Sequence, residues 1–129
     1  MHLTAMVFAI FAALLHVFIF YMESISWTSE KTRSTFGMSE EAAENTKEMA
    51  FNQGFYNLSL AIEVFAGVGL YITGAQGVGL ALMLFGTGSM LAAALLLFIT
   101  SPDKRSAAIK QGALPLIAVI ALILTMVLY

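Results

Sequence analysis

Long stretches of this chain carry no charge. No Asp, Glu, Lys or Arg precedes Glu23, only Glu63 falls between Glu48 and Asp103, and none follows Lys110. About 20 predominantly apolar residues suffice for a helix to cross a hydrocarbon core of roughly 30 Å. Four such spans are expected, at residues 3–25, 49–73, 78–100 and 107–129. Backbone groups in hydrocarbon have no water to bond, so each span must be a helix or a strand of a closed barrel. The runs are continuously apolar and lack the alternation of a barrel strand. The composition agrees: 60% hydrophobic and 11% charged, against about 45–50% and 25% for soluble domains. The expectation is an all-α polytopic membrane protein, a single four-helix transmembrane bundle over residues 1–129.

The connections add detail. Ser39 stands before Glu40 and Glu41, the arrangement of a helix N-cap followed by acids that suit the positive end of the helix dipole. Within the loop 26–48 a helical extension is therefore expected from about residue 40. Gly37 marks the break before it, and residues 24–38 are expected to be irregular. Ser101, Pro102 and Asp103 suit a helix start with a hydroxyl cap and proline in the first turn. Lys31, Arg33 and Lys47 lie between the first two spans; Lys104, Arg105 and Lys110 lie between the last two. The termini and the 74–77 turn have no Lys or Arg. Because cytoplasmic loops are enriched in these residues, both basic loops are expected in the cytoplasm and both termini outside it. The first span lacks the basic segment of a signal peptide and is expected to be retained.

Polar groups at membrane depth are costly and mark functional candidates. His16, Phe20, Glu23 and Trp27 are spaced four, three and four apart on the first span, hence on one helical stripe. Asn52, Tyr56, Ser59 and Glu63 repeat that spacing on the second, with Gln53 and Asn57 beside them. Taking Ile25 level with Met49 in antiparallel helices, Glu23 lies about 3 Å inside, near Phe51 and Asn52. His16 then lies about 13 Å inside, between Asn57 and Ser59, and Glu63 is ~7 Å deeper. If the stripes face each other, they build a polar seam open to the cytoplasm. The candidates for ligand binding or proton coupling are His16, Glu23, Asn52, Gln53, Tyr56, Asn57 and Glu63. Trp27 is expected as an aromatic anchor at the membrane interface. The bland reading is that the amides are hydrogen-bonding glue between helices.

Several chemistries have no support. The chain has no cysteine, which removes disulfides and thiolate chemistry. One intramembrane histidine without a second is a poor transition-metal set, so no metal is expected, and no catalytic residue or cofactor is assigned. A net charge of −2 argues against nucleic acid. In the third span Gly77 and Ala81, and Gly88 and Ala92, have small-xxx-small spacing, a pattern that permits close helix approach. The partner on this face is either another helix of the same bundle or a second copy, a homodimer through the glycine-rich third helix; the lipid bilayer is the other partner.

His16 with Phe18, Phe20, Glu23 and Trp27, then Phe36-Gly37, then Asn52-Gln53-Gly54-Phe55-Tyr56-Asn57, resembles the bacterial membrane family known as domain of unknown function 1304. The resemblance spans essentially the whole chain. It implies a small four-helix integral protein of a bacterial cytoplasmic (inner) membrane and no established activity. Three functions compete. The first is binding or transport of a small molecule through the polar seam. The second is a membrane enzyme or redox accessory acting on a lipid-like or quinone-like substrate, with His16 and Glu23 as acid and base. The third is a non-catalytic structural subunit of a membrane complex. The lack of a recognisable cofactor set puts the first ahead.

Overall fold

The computed structural model describes residues 2–128 and contains helices without strands among them. Helix α1 (His2–Phe20) runs directly into a π-helical turn, Tyr21–Ile25, followed by a short helix α2 (Glu30–Phe36). The long helices α3 (Glu40–Ile72), α4 (Gln76–Thr100) and α5 (Arg105–Leu128) complete the chain. Four segments, His2–Ile25, Glu40–Ile72, Gln76–Thr100 and Pro102–Leu128, are long and apolar enough to cross a membrane. They form an up-and-down bundle. Helix α1 packs between α3 and α5, while α4 packs against α3 and α5 and lies diagonal to α1.

Local chemistry sets the helix ends. The Ser39 side chain accepts a hydrogen bond from the Ala42 amide at 3.1 Å, and Glu40 and Glu41 occupy the first turn of α3. With 33 residues, α3 is about 50 Å long, so its first turns project beyond a hydrocarbon core. The expectation of an irregular segment at 24–38 is corrected. Ser29 caps α2 by accepting from the Thr32 amide at 3.2 Å, Glu30 follows it, and Gly37 ends the helix in the left-handed region at φ 65°. Ser29-Glu30 is the same cap signal as Ser39-Glu40, in a helix of only seven residues. The expected hydroxyl cap at Ser101 is also absent: its side chain makes no cap bond, and Pro102–Lys104 form a 3-10 turn leading into α5.

The core is made of small residues. Ala5, Ala9, Ala12 and Ala13 of α1 are buried with Ala61 and Val64 of α3, Met83 and Met90 of α4, and Ala118 and Leu122 of α5. In lipid the apolar effect gives helices little reason to associate, so close van der Waals packing of short side chains must do so. The α3–α4 pair is the tightest example. A Cβ on Gly79 would lie 2.6 Å from the Gly67 carbonyl oxygen and 2.6 Å from the Tyr71 amide nitrogen. Gly86 faces Val64 in the same interface, whereas Gly77 and Gly88 face open space. Tyr71 also shares a hydrogen bond with His2, tying α3 to the start of α1.

The backbone atoms opposite Gly79 cannot rotate away as a side chain would. Gly79→Ala should therefore destabilise the bundle by ~1–3 kcal/mol through overpacking, seen as a lower unfolding midpoint in detergent. Gly88→Ala, made into open space, should leave the midpoint unchanged or raise it slightly through helix propensity.

Candidate functional site

The buried stripe of α3 consists of Ala50, Gly54, Asn57, Ala61, Val64, Val68 and Tyr71, alternating in steps of four and three. Asn57 is the single amide on it. The expected stripe of Asn52, Tyr56, Ser59 and Glu63 is two positions away, about 200° around the helix. Asn52, Tyr56 and Ser59 are exposed and Glu63 is half-buried. The expected seam is therefore corrected: these four residues face outward, and small side chains define the inward face. Asn52 donates to the Glu48 carbonyl at 3.1 Å and Ser59 to that of Phe55 at 3.0 Å, both within their own helix.

His16 is 2% exposed, and its Nδ1 donates to the Ala12 carbonyl at 2.9 Å. The tautomer follows from the partner, since a carbonyl only accepts. Among the described residues no hydrogen bond joins His16 to Asn57 or Ser59, and Ser59, exposed and bonded within its own helix, does not share the interior with the other two. Bonded to its own helix and almost wholly buried, His16 is a core residue.

What assembles instead lies nearer the basic end of the bundle. Asn57 donates to Glu23 Oε2 at 2.7 Å, and its nitrogen also lies 3.3 Å from the Gln53 carbonyl. The level-by-level alignment pairs Glu23 with Asn52, and the reason it fails is side-chain direction. In a helix Cα–Cβ bonds tilt toward the N-terminus. Glu23 on the first span and Asn57 on the antiparallel α3 therefore lean toward each other along the axis and bridge the offset.

The π-helical turn makes this possible. It closes with a Ser26 N–H to Tyr21 carbonyl bond of 2.9 Å, spanning five residues where an α-helix spans four. Consecutive residues Glu23 and Ser24 both reach α3: Ser24 donates from its hydroxyl to the Phe51 carbonyl at 2.8 Å. Opposite them is Gly54. A Cβ there would fall 2.0 Å from Ser24 Oγ and 3.0 Å from Ser24 Cβ and N, so any larger residue would turn the Ser24 hydroxyl aside and push the turn away from α3. One step further on, the Trp27 indole donates to Thr46 Oγ1 at 3.1 Å, and the Thr46 hydroxyl donates onward to the Ala42 carbonyl at 2.7 Å. Trp27 also packs on Phe36 with ring centroids 5.2 Å apart, so its ring is fixed to the bundle.

These contacts wall a cleft of about 520 Å³ whose lining includes Glu23, Trp27, Thr46, Gln53, Leu97 and Lys104. Asn57 occupies Glu23 Oε2, while Oε1 has no hydrogen-bond partner among the described residues. The cleft thus offers a carboxylate oxygen, an aromatic wall, an amide and an ammonium. Beyond Asn57 the inward stripe continues as Ala61 and Val64, both fully buried. Among the described residues no three His, Cys, Asp or Glu side chains gather as metal ligands. Of the expected candidates, Glu23, Gln53, Asn57 and Trp27 come together; His16, Asn52, Tyr56 and Glu63 do not join them. Ser24, Thr46, Gly54 and Lys104 belong to the site as well and are not among the residues expected there from sequence. Gly54 carried a signal, because glycine inside a helix is destabilising and persists for a packing reason. Ser24, Thr46 and Lys104 carried none.

A bundle of four membrane-length helices with a cleft of mixed polar and apolar lining at one end defines the class of protein. The family model described as Protein of unknown function (DUF1304) matches residues 10–123, and the chain belongs to that family. No curated protein and no solved structure matches it.

Trp27 is the single tryptophan, so its emission reports directly on this site. Gly54→Ala should displace the π-helical turn, shift Trp27 emission and lower the unfolding midpoint by the equivalent of ~1–3 kcal/mol. Gly69→Ala, on the same helix but facing open space, should do neither.

Proposed function

We propose that the protein is a small-molecule binding protein of the bacterial cytoplasmic membrane, with the Glu23–Trp27 cleft as its site and the two basic loops in the cytoplasm. The observation that carries this reading is the state of Glu23. One carboxyl oxygen is held by Asn57, and the other is left without a protein partner at the wall of a 520 Å³ cleft. That volume lies within the roughly 300–1,000 Å³ range of ligand sites. Glu23 would accept a hydrogen bond from an amine or hydroxyl of the ligand, Trp27 would stack on its apolar or cationic part, and Lys104 would meet an acidic group. A compact zwitterion or amino alcohol has this chemistry. Binding is favoured over passage because, beyond Asn57, the inward face of α3 continues as the fully buried Ala61 and Val64. It is favoured over acid–base catalysis because His16 bonds its own helix and is sealed from the cleft.

The test is titration of the purified full-length chain with small amines, amino alcohols and zwitterions, following Trp27 emission. At least one class should shift the emission saturably, and Glu23→Gln should weaken that binding by ~10- to 100-fold, the worth of a charge-assisted hydrogen bond. Gln retains an oxygen for Asn57, so the fold should survive. A Glu23→Gln protein that binds as tightly as the native chain would overturn the assignment, as would the failure of every class to shift the emission.

The orientation rests on the Lys and Arg distribution. A reporter fused to the C-terminus should be active when it requires the outside of the cytoplasm and silent when it requires the cytoplasm. The reverse result would place the cleft mouth on the outer side.

A further inference from the structure

A second cleft, of about 420 Å³, lies between the end of the first span and α2. Phe18, Tyr21 and Met22 supply its apolar side, and Lys31 with hydroxyl side chains of the 26–35 segment supplies its polar side. It adjoins an apolar groove of about 130 Å³ between the first span and α5, because Phe18, Met22 and Thr35 line both. The groove continues past Leu15 and Ile19 and is bordered by Lys110 of α5. Measured along the helix from Ile25, Phe18 is about 10 Å away and Leu15 about 15 Å. The latter is half of a roughly 30 Å hydrocarbon core, the depth of one leaflet.

The charge here has one sign. Lys31 and Lys110 stand at the cleft and the groove, no Asp or Glu lines either, and neither lysine forms an ion pair among the described residues. The Glu23 cleft differs, since it sets a carboxylate beside Lys104. The hydroxyls also have a donor to spare. Ser29 donates to Thr32 Oγ1 at 3.1 Å, and Ser26 and Thr32 share a second bond of 2.9 Å. Each hydroxyl carries one proton, so these three side chains spend two protons on each other. The third, on Ser26 or Thr32, has no acceptor among the described residues.

We propose that cleft and groove together hold one anionic phospholipid of the surrounding leaflet. The headgroup phosphate accepts from the Lys31 and Lys110 ammonium groups and from the spare hydroxyl, and an acyl chain lies along Phe18 and Leu15. The order of the lining is that of such a molecule, polar at the basic end and apolar toward the midplane. A free anion would fill the polar part and leave the groove bare. A zwitterionic headgroup would bring an ammonium for which the lining has no carboxylate. A second copy of the chain, related by a two-fold axis, would set this face against itself and meet lysines with no counter-charge. The Glu23 cleft has no part in this site, and neither proposal rests on the other.

The test is native mass spectrometry of the purified full-length protein in a nonionic detergent, with phosphatidylglycerol or phosphatidylcholine added stepwise. One phosphatidylglycerol per chain should be retained, more tightly than phosphatidylcholine. Lys31→Gln and Lys110→Gln should each weaken that retention by about 5-fold, the worth of one basic side chain beside an anionic headgroup. The double variant should hold the two lipids alike. Lys47→Gln removes an exposed charge from α3 at the same end of the bundle and should change nothing, and excess inorganic phosphate should not displace the lipid. Equal retention of both lipids by the native chain would overturn the proposal, as would a loss from Lys47→Gln as large as from the other two. Displacement by phosphate alone would show a free-anion site instead, and a lipid-free dimer would show that a second copy covers this face; either result overturns it.

Discussion

Gly54 has no side chain, and the arrangement of the basic end depends on that. Its bare backbone lets the π-helical turn of the first span sit against α3 closely enough for Ser24 to bond the Phe51 carbonyl. The same approach brings Glu23 to Asn57 and leaves Trp27 within reach of Thr46. Adding one methyl group would press on Ser24 and disturb all three bonds together. The rest of the bundle follows the same rule. Where a soluble protein would fill its core with leucine, this one uses Ala5, Ala9, Ala12, Ala13 and Ala61 to bring backbones together, with Gly67 and Gly79 meeting between α3 and α4. Short side chains give the bundle its contact area, as expected where solvent and core are equally apolar.

That rule also explains what could be read from the residues alone. The helical class and the four spans were legible because length and continuous apolarity are physical requirements of a bilayer. The start of α3 was legible in Ser39, Glu40 and Glu41. The inward face of α3 was not, because polarity does not mark this interface. The true mark was the run Ala50, Gly54, Ala61 and Gly67, and following the polar residues led about half a turn around the helix. Asn57 belongs to the inward face and Asn52 to the outward one, although both sit in one short motif. The π-helical turn was hidden because a single wide turn has no sequence periodicity. The Glu23–Asn57 bond was hidden because an alignment by residue height ignores the lean of Cβ atoms toward each helix N-terminus. Lys104 reaches the cleft only through the packing of the bundle, and no local pattern carries that information.

The corrected picture narrows the chemistry. A seam running from the basic end past His16 to Glu63 would have suggested a proton path. The structure divides those residues: Glu23, Gln53 and Trp27 line a cleft with Asn57 bonded to Glu23 behind it, His16 is enclosed in the core, and Glu63 faces outward. Separate locations imply separate roles. A carboxylate oxygen at the wall of an end cleft suits recognition of a hydrogen-bond donor.

The central claim is that Glu23 and Asn57 act as one unit that holds the cleft in shape. A double-mutant cycle tests it most directly, using Glu23→Ala, Asn57→Ala and the double variant, with unfolding free energies measured in one detergent. A charge-assisted bond of 2.7 Å predicts a coupling energy of about 1.5–3 kcal/mol. Additivity within about 0.5 kcal/mol would mean that the two side chains do not depend on each other, and would contradict the account of the site.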